Sequence, residues 1–316
     1  MRYLNLCSCV IFILCFNYGA VSKKNSYRKD DLPGVIMVPG DGGAQLEAVL
    51  HNAEAVHFYC RSNSDWFTVW LNYLEMVPAI ISCWVSHMKL VYDSITRTTH
   101  DPRGVSVRVP GFGNTSTVEY LNEKRYYSYF AYVADTLVSL GYERNKNLRG
   151  APFDFRKAPN ELSSFFVDLR QLTEELREST GGPVVLVAHS LGAPILNYFL
   201  NQHTQAWRDE HVLSLVSLAG AWGGAVKAVK VYAAGDNMGA PLNSLTMRTQ
   251  QRTNPSLAFL LPDPELWGDH VMVKAPGGNY TVHQLRQFLH DLQLPDSVEM
   301  YEDTRGLLNM SNTPPR

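Results

Sequence analysis

The chain has 316 residues, of which 45% are hydrophobic and 18% charged, and its net charge is −2. These values are ordinary for a globular protein, and they exclude a strongly basic chain that binds nucleic acid through its charge. The length is enough for two domains, but α/β folds of this size commonly form one domain with insertions. We therefore expect one domain with a sizeable core and no nucleic-acid partner.

The N-terminus predicts a signal peptide over residues 1–22. An apolar run over residues 4–16 leads to the small-residue cleavage site Ala20-Val21-Ser22. The run is too short to span a bilayer, and a polar leader follows it. The chain is therefore expected to enter the secretory pathway.

Three of the five cysteines lie inside this segment, so Cys60 and Cys83 remain in the mature chain. An even pair in an oxidising compartment predicts a disulfide between them. Three Asn-x-Ser/Thr triplets, at Asn114, Asn279 and Asn309, are candidate glycosylation sites. Each triplet alone is weak evidence, because such triplets also arise by chance.

A glycine-rich turn follows the first predicted strand of the mature chain. The strand covers residues 32–39, and Gly40-Asp41-Gly42-Gly43 comes directly after it. Acyl-transfer hydrolases need two backbone N–H groups aimed at the oxygen that gains negative charge, and one comes from an early strand-to-loop turn. Asp41 fits this place. The alternative is a plain glycine turn, which would be preferred if the chain had no nucleophile.

Residues 184–192 carry that nucleophile. A run of β-branched residues ends in Ala188-His189-Ser190-Leu191-Gly192, and a helical pattern follows. Strand, tight turn and helix are the setting of a nucleophile elbow, in which the serine hydroxyl projects above the sheet. Ser190 is the predicted nucleophile, and Leu191 supplies the second backbone donor. The alternative is an ordinary helix N-cap at Ser190. We assign His189 a structural role, because it points away from the serine.

The segment between the two cysteines is rich in aromatic and aliphatic residues at helical spacing over residues 66–77. Asn72, Glu75 and Pro78 exclude a transmembrane helix. Trp and Tyr side chains suit the interface of a bilayer, where one side is apolar and the other wet. The predicted membrane-binding residues are Trp66, Trp70, Leu71 and Leu74. The alternative, that this face packs on the body of the protein, stays open.

The rest of the chain alternates in the α/β manner. Helices are predicted over residues 126–140, from Asn160 to about 180, and over residues 282–292. Residues 225–252 read as a long irregular insertion of the kind that forms lids, or as a surface loop. His283 and His290 lie seven apart on one helical face, but no cysteine or carboxylate joins them at ligand spacing, so we predict no metal site and no cofactor.

Several motifs in a fixed order resemble the lecithin:cholesterol acyltransferase family, in particular its lysosomal phospholipase branch. They are residues 38–47, 66–84, 108–113, 149–156, 182–192 and 222–224. The resemblance runs from about residue 32 to the end of the chain. It implies an α/β-hydrolase domain over residues 23–316, with a membrane-binding excursion at about 50–110 and a lid or cap at about 220–255.

The same resemblance implies the chemistry. An acyl chain is removed from a glycerophospholipid through an ester of Ser190, and is passed to water or to a lipid alcohol such as ceramide. Asp41 and Leu191 match the oxyanion donors, and Cys60 with Cys83 matches the first disulfide. The implied partners are a phospholipid membrane surface, a lipid acyl donor and a lipid alcohol acceptor, and the implied location is lysosomal or extracellular.

One departure from the family pattern is large. In hydrolases of this class an aspartate and then a histidine follow the nucleophile, and the resemblance implies that both lie beyond Arg316. Asp269 with His270, and Asp263 with His283, have the required order but no strand-to-loop setting. We therefore expect the chain to be a C-terminally truncated product, or an incomplete version, of an active enzyme, without the last sheet strands. Losing the base would cost roughly a million-fold in turnover, so the activity of the chain as written stays open.

Three hypotheses follow for the function. The first is a lysosomal serine phospholipase and transacylase. The second is a secreted phospholipid–sterol acyltransferase with the same chemistry. The third is a lipid-binding protein without catalysis.

Overall fold

The computed structural model describes residues 32–238 and 242–307. The predicted signal peptide and the candidate glycosylation site Asn309 lie outside these ranges. The strands are β1 (Val35–Val38), β2 (Leu46–Leu50), β3 (Ser64–Trp70), β4 (Val91–Asp93), β5 (Thr98–His100), β6 (Val105–Arg108), β7 (Leu148–Gly150), β8 (Val184–His189), β9 (Val212–Leu218), β10 (Val271–Ala275) and β11 (Gly278–Thr281).

The helices are short except for one of 18 residues. They are α1 (Ile81–Met88), α2 (Ser116–Glu119), α3 (Ala131–Ser139), α4 (Ser163–Thr180), α5 (Gly192–Asn201), α6 (Gln205–His211), α7 (Val226–Ala234), α8 (Ser244–Gln251), α9 (Pro255–Phe259), α10 (Pro264–Trp267), α11 (Leu285–Asp291) and α12 (Pro295–Thr304). Two 3-10 turns, Pro159–Glu161 and Val282–Gln284, precede α4 and α11.

A parallel sheet with the strand order β7-β1-β8-β9 forms the centre of the fold. Successive side chains of a strand point to opposite faces, and β1 shows this directly. Ile36 and Val38 pack with residues of α4 and α5, whereas Val35 and Met37 pack with residues of α3. Helices therefore cover both faces of the sheet, which confirms the predicted mixed α/β class.

Helix α4 begins later than the sequence predicts. Leu169, Leu172 and Leu176 are buried along one face, and the helix ends at Gly181 in a left-handed conformation, with φ 72°. Asn160 is the predicted first residue of the helix. It lies instead in the preceding 3-10 turn, and the N-cap of α4 is Leu162.

Residues 46–108 form a second structural layer. Strands β3, β2 and β6 make an antiparallel sheet in that order, β4 pairs with β5 as a separate hairpin, and α1 lies between the two. The helix that the apolar spacing over residues 66–77 indicates is wrong at its start. Residues up to Trp70 form β3 and are hydrogen-bonded to β2. Cross-strand pairing outweighs the local apolar period here.

The predicted disulfide between Cys60 and Cys83 is present, with the two Cα atoms 5.4 Å apart. It ties the loop before β3 to the first turn of α1. A bridge of this kind stabilises mainly by restricting the unfolded chain.

Replacing both cysteines with serine is therefore expected to lower the free energy of unfolding by about 3 kcal/mol, from the 23-residue separation. Urea denaturation of the oxidised wild type and of the double variant measures this difference. Dithiothreitol should destabilise the wild type by a similar amount and leave the variant unchanged. A variant within about 0.5 kcal/mol of the oxidised wild type would show that the bridge constrains nothing.

Residues 225–252 are more ordered than the sequence suggested. They hold helices α7 and α8 rather than a wholly irregular insertion. Ala228, Val231 and Tyr232 of α7, and Met247 of α8, are buried in the main hydrophobic cluster. The abundant glycine and polar residues hid the short apolar faces of both helices.

Candidate active site

The glycine turn and the serine turn are neighbours because their strands are neighbours. β1 pairs with β8 in parallel, and Val38 lies opposite Ala188. The carboxyl ends of adjacent parallel strands meet at one edge of the sheet, where α/β proteins place their ligands. Gly40 and Asp41 therefore emerge beside Ser190 and Leu191.

Ser190 occupies a strained backbone conformation. Its φ is +52°, in the left-handed region that non-glycine residues rarely adopt. The conformation is held by hydrogen bonds on both sides, because Ser190 N–H donates to Leu218 O at 3.0 Å and Ala221 N–H donates to Ser190 O at 3.2 Å. Helix α5 has Leu191 as its N-cap and makes no side-chain capping bond. Ser190 therefore does not serve as the helix cap.

Two glycines allow the turns to touch. A Cβ on Gly192 would lie 2.4 Å from Pro39 O, and one on Gly40 would lie 2.8 Å from Ser190 Cβ. Both distances are shorter than any side chain tolerates without a backbone shift. Glycine is therefore required on each turn for this close approach.

The backbone amides of Asp41 and Leu191 donate no hydrogen bond to any group in the part of the chain that the structure describes. The glycine turn itself is closed by a bond of 3.0 Å from Gly43 N–H to Gly40 O. The indole N–H of Trp70 donates to Gly42 O at 2.8 Å, which ties the turn to β3. Two uncommitted amides beside a serine are the arrangement that an oxyanion hole needs.

A cavity of about 240 Å³ opens beside Ser190. Asp41, Lys227 and Asp236 supply its charged groups, and the two lysines at 227 and 230 pair with Asp236 at 3.3 Å and 2.8 Å. Most of the remaining wall is apolar. Its members include Trp70, Trp84, Met88, Phe155, Val231 and Leu257.

Burial raises the pKa of the Asp41 carboxyl to about 6, with a smaller opposing effect of Lys227 and a further rise from Asp236. The usual value is 3.8. The side chain is therefore neutral at acidic pH and charged above about pH 6. Since the folded value lies above the unfolded value, the associated stability is present at low pH and is lost as pH rises through 6.

Asp41→Asn, which stays neutral at every pH, is expected to gain stability relative to the wild type as pH rises from 4 to 7, by up to about 2 kcal/mol. Urea denaturation at each pH unit measures the difference. Asp65→Asn is the matched control, because Asp65 is exposed, and its difference from the wild type should stay flat. A flat difference for Asp41→Asn as well would contradict a raised pKa.

The two Asp–His pairs that have the right order do not meet Ser190. His283 Nε2 lies 3.3 Å from Asp269 Oδ1, and both side chains are exposed. The Asp263 carboxylate caps α10 by accepting the N–H of residue 265. Among the described residues that line the Ser190 cavity, none belongs to either pair, and His189 is the one histidine.

Of the four predicted membrane-binding residues, two are exposed and two are buried. Trp66 and Leu74 are 43% and 75% exposed, whereas Trp70 and Leu71 are buried at 3% and 7%. The prediction is wrong for Trp70 and Leu71, because the end of β3 runs into the body of the protein. Phe58 is 100% exposed in the same layer and was missed.

The candidate glycosylation sites also differ. Asn279 is exposed on β11. Asn114 is half-buried, and its Oδ1 accepts the N–H of Ser116 at 2.9 Å. No group of three or more metal-ligating side chains occurs among the residues that the structure covers. Within the same ranges, no helix has the length and apolar character needed to cross a bilayer.

Comparison with known proteins identifies a family and several similar proteins. The profile of the lecithin:cholesterol acyltransferase family matches residues 66–310. Lysosomal phospholipase A and acyltransferase from Bos taurus is 44% identical over 287 residues, which cover 89% of this chain and 70% of the bovine protein. The Homo sapiens protein of that name is 43% identical over 287 residues, with the same coverage of 89% and 70%. Phosphatidylcholine-sterol acyltransferase from Gallus gallus is 38% identical over 279 residues, or 87% of this chain and 68% of the chicken protein.

The parallel sheet with helices on both faces, and a serine on a strained strand-to-helix turn, are consistent with the α/β-hydrolase class. Within that class, the chain belongs to the lecithin:cholesterol acyltransferase family, and it is an enzyme of the acyltransferase and phospholipase type. The family prediction is thereby confirmed. The predicted localisation, lysosomal or extracellular, agrees with relatives that are named as lysosomal.

Proposed function

We propose that the protein is a serine phospholipase A and O-acyltransferase. It removes an acyl chain from a glycerophospholipid as an ester of Ser190 and passes it to water or to a lipid alcohol of the ceramide type. The observation that carries this proposal is the contact between the serine turn and the glycine turn at the mouth of an apolar cavity.

In the first half-reaction Ser190 Oγ attacks the ester carbonyl, and the carbonyl oxygen gains a negative charge. The amides of Asp41 and Leu191 stabilise that oxygen by hydrogen bonds. The tetrahedral intermediate then expels the lysophospholipid alcohol, which takes up a proton, and leaves the acyl-serine. In the second half-reaction water or a lipid alcohol attacks the acyl carbonyl, the same amides bind the oxyanion, and Ser190 is released.

Both half-reactions require a general base that accepts the hydroxyl proton. His189 is unsuited to this task, because its Nδ1 contacts the Tyr129 hydroxyl. His189 is the one histidine among the described residues that line the Ser190 cavity, so no other imidazole there can act as the base.

The apolar wall of the cavity suits an acyl chain. Its apolar lining includes Trp84 and Met88 of α1, Val231 of α7 and Leu257 of α9. Burial of such a chain removes apolar surface from water, at about 25 cal/mol per Å². The charged groups of the cavity, from Asp41, Lys227 and Asp236, suit the polar ester and headgroup end of the lipid.

Two further elements complete the proposed organisation of one hydrolase domain over residues 23–316. Residues 220–255, which include α7 and α8, form the cap of the cavity. The excursion at about 50–110 rests on the membrane through Phe58, Trp66 and Leu74, whose exposed side chains suit a bilayer interface.

A secreted phospholipid–sterol acyltransferase is the second candidate, because the chicken relative carries that name. The two candidates differ in acceptor. Phosphatidylcholine vesicles with a labelled acyl chain, offered a ceramide or a sterol at pH 4.5 and pH 7.4, separate them. We expect free fatty acid and acylated ceramide, with more product at pH 4.5.

Ser190→Ala serves as the control and should form neither product. Sterol ester as the main product would favour the second candidate. Vesicle binding without any product from the wild type would leave a lipid-binding protein without catalysis.

A further inference from the structure

The hydroxyl of Tyr129 touches both turns of the site. Gly40 N–H donates to Tyr129 Oη at 2.9 Å, and the same oxygen contacts His189 Nδ1. Gly40 immediately precedes Asp41, and His189 immediately precedes Ser190. The Tyr129 hydroxyl oxygen therefore contacts the residue before the nucleophile and the residue before the first oxyanion donor.

The ring of Tyr129 also packs against the glycine turn. A Cβ on Gly43 would lie 2.5 Å from Tyr129 Cζ, so the turn rests directly on the aromatic ring. The ring packs edge-on against His189, with centroids 5.4 Å apart. Both ends of the turn, Gly40 and Gly43, are therefore in contact with this one side chain.

The backbone of Tyr129 is anchored independently of the site. Its N–H donates to Glu119 O at 2.7 Å, and Phe130 N–H donates to Val118 O at 3.1 Å. The Glu119 carboxylate in turn accepts three hydrogen bonds from the Arg144 guanidinium, at 2.8 Å, 2.9 Å and 3.1 Å. The position of the hydroxyl is thus set by α2 and by this ion pair.

Two hydrogen-bond arrangements fit these contacts. The Tyr129 hydroxyl accepts the Gly40 N–H through one lone pair, and it either donates its own proton to His189 Nδ1 or accepts an Nδ1 proton through its second lone pair. In the first arrangement the ring proton of a neutral His189 lies on Nε2, and in the second it lies on Nδ1. Burial lowers the pKa of His189 and raises that of Tyr129, so both groups stay neutral in either arrangement.

We propose that Tyr129 is a positioning residue that sets the separation between the Asp41 amide and Ser190. The proposal rests on the proposed function, in which the Asp41 and Leu191 amides bind the oxyanion. Tyr129 touches no substrate and acts through the two turns. Trp70 also holds the glycine turn, but its indole bonds to Gly42 alone.

Tyr129→Phe tests the proposal, because it removes the hydroxyl and keeps the ring. Tyr126→Phe is the matched control, since Tyr126 lies three residues away and is 73% exposed. Near-ultraviolet circular dichroism and urea denaturation establish that each variant is folded.

The first measurement is amide hydrogen exchange of residues 37–45, which needs no catalysis. Tyr129→Phe is expected to speed exchange at Gly40 about tenfold through the lost hydrogen bond. Tyr126→Phe should not change it. Equal exchange in the wild type and Tyr129→Phe would overturn the proposal.

The second measurement compares two ligands of the same chain length. An alkyl boronic acid forms a tetrahedral anion on serine, and a diether phosphatidylcholine cannot react. Tyr129→Phe should bind the boronic acid about tenfold more weakly and the diether lipid equally well. If Tyr129 has only a structural role, Tyr129→Phe should bind the boronic acid and the diether lipid more weakly to the same extent. That result would overturn the proposal.

His189 provides an independent check. His189→Asn keeps a polar atom near the position of Nδ1 and should retain most boronic acid affinity, whereas His189→Leu should lose it as Tyr129→Phe does. Different results would contradict the proposed function and the positioning role of Tyr129. A wild type that does not bind the boronic acid at Ser190 would contradict the proposed function, whereas tight binding that Tyr129→Phe leaves unchanged would contradict the positioning role alone.

Discussion

Ser190→Ala is expected to lower kcat/KM for phospholipid ester cleavage about 10⁶-fold when a histidine base assists the serine, because covalent catalysis is then lost as a unit. Binding of a diether lipid should stay within about twofold, since the hydroxyl contributes to the transition state more than to the ground state. Steady-state rates with labelled phosphatidylcholine vesicles measure the first quantity, and equilibrium binding measures the second.

Ser214→Ala is the matched control, because Ser214 lies half-buried on the neighbouring strand β9. It should leave both quantities unchanged. A Ser190→Ala protein with more than a tenth of wild-type activity would exclude Ser190 as the nucleophile of an assisted reaction.

The absolute rate of the wild type carries separate information about the base. Two amides and substrate binding alone give about 10³ to 10⁴ over the uncatalysed reaction. A wild-type rate at that level would mean that no base reaches Ser190. A rate about a million-fold higher would mean that one does.

Arg156→Leu is expected to lower the free energy of unfolding by about 3 to 5 kcal/mol. Arg156 is 1% exposed, and its guanidinium donates to Asp154 at 2.9 Å and 2.7 Å and to Asp101 at 3.0 Å. Burial alone would raise the pKa of Asp154, but the charge and hydrogen bonds of Arg156 hold it below its usual range. Removing the arginine leaves two half-buried carboxylates, Asp154 and Asp101, without this partner.

Urea denaturation at pH 7 measures this loss. Arg170→Leu is the matched control, because Arg170 forms an exposed helical pair with Glu174 at 2.8 Å, and such pairs contribute about 0.5 kcal/mol. Asp154→Asn combined with Arg156→Leu should recover part of the stability, because the uncompensated charge is then gone. A loss below about 1 kcal/mol for Arg156→Leu alone would show that the buried network is not needed for folding.

The sequence predicted the two turns because each is determined locally. The β-branched run before Ser190 and the small residues around it specify strand, turn and helix within nine positions. The glycines at 40 and 192 signal a close backbone approach before any partner is known. That the two turns meet depends on the pairing of β1 with β8, which the structure shows and the local signals do not.

The position of Tyr129 could not be predicted from local sequence patterns. Residues 126–140 have one helical period, yet α3 begins at Ala131 because Tyr129 and Phe130 bond to carbonyl groups of α2. These bonds join separate segments, and a local period does not report them. Trp70 is similar, because its burial depends on Trp84 and Phe155 from other elements.

The most direct test of the account is a crystal structure of the protein after reaction with an alkyl fluorophosphonate. We expect phosphorus bonded to Ser190 Oγ, and one phosphoryl oxygen within about 2.7–3.1 Å of the amide nitrogens of both Asp41 and Leu191. An adduct on another residue, or a phosphoryl oxygen turned away from the glycine turn, would contradict it.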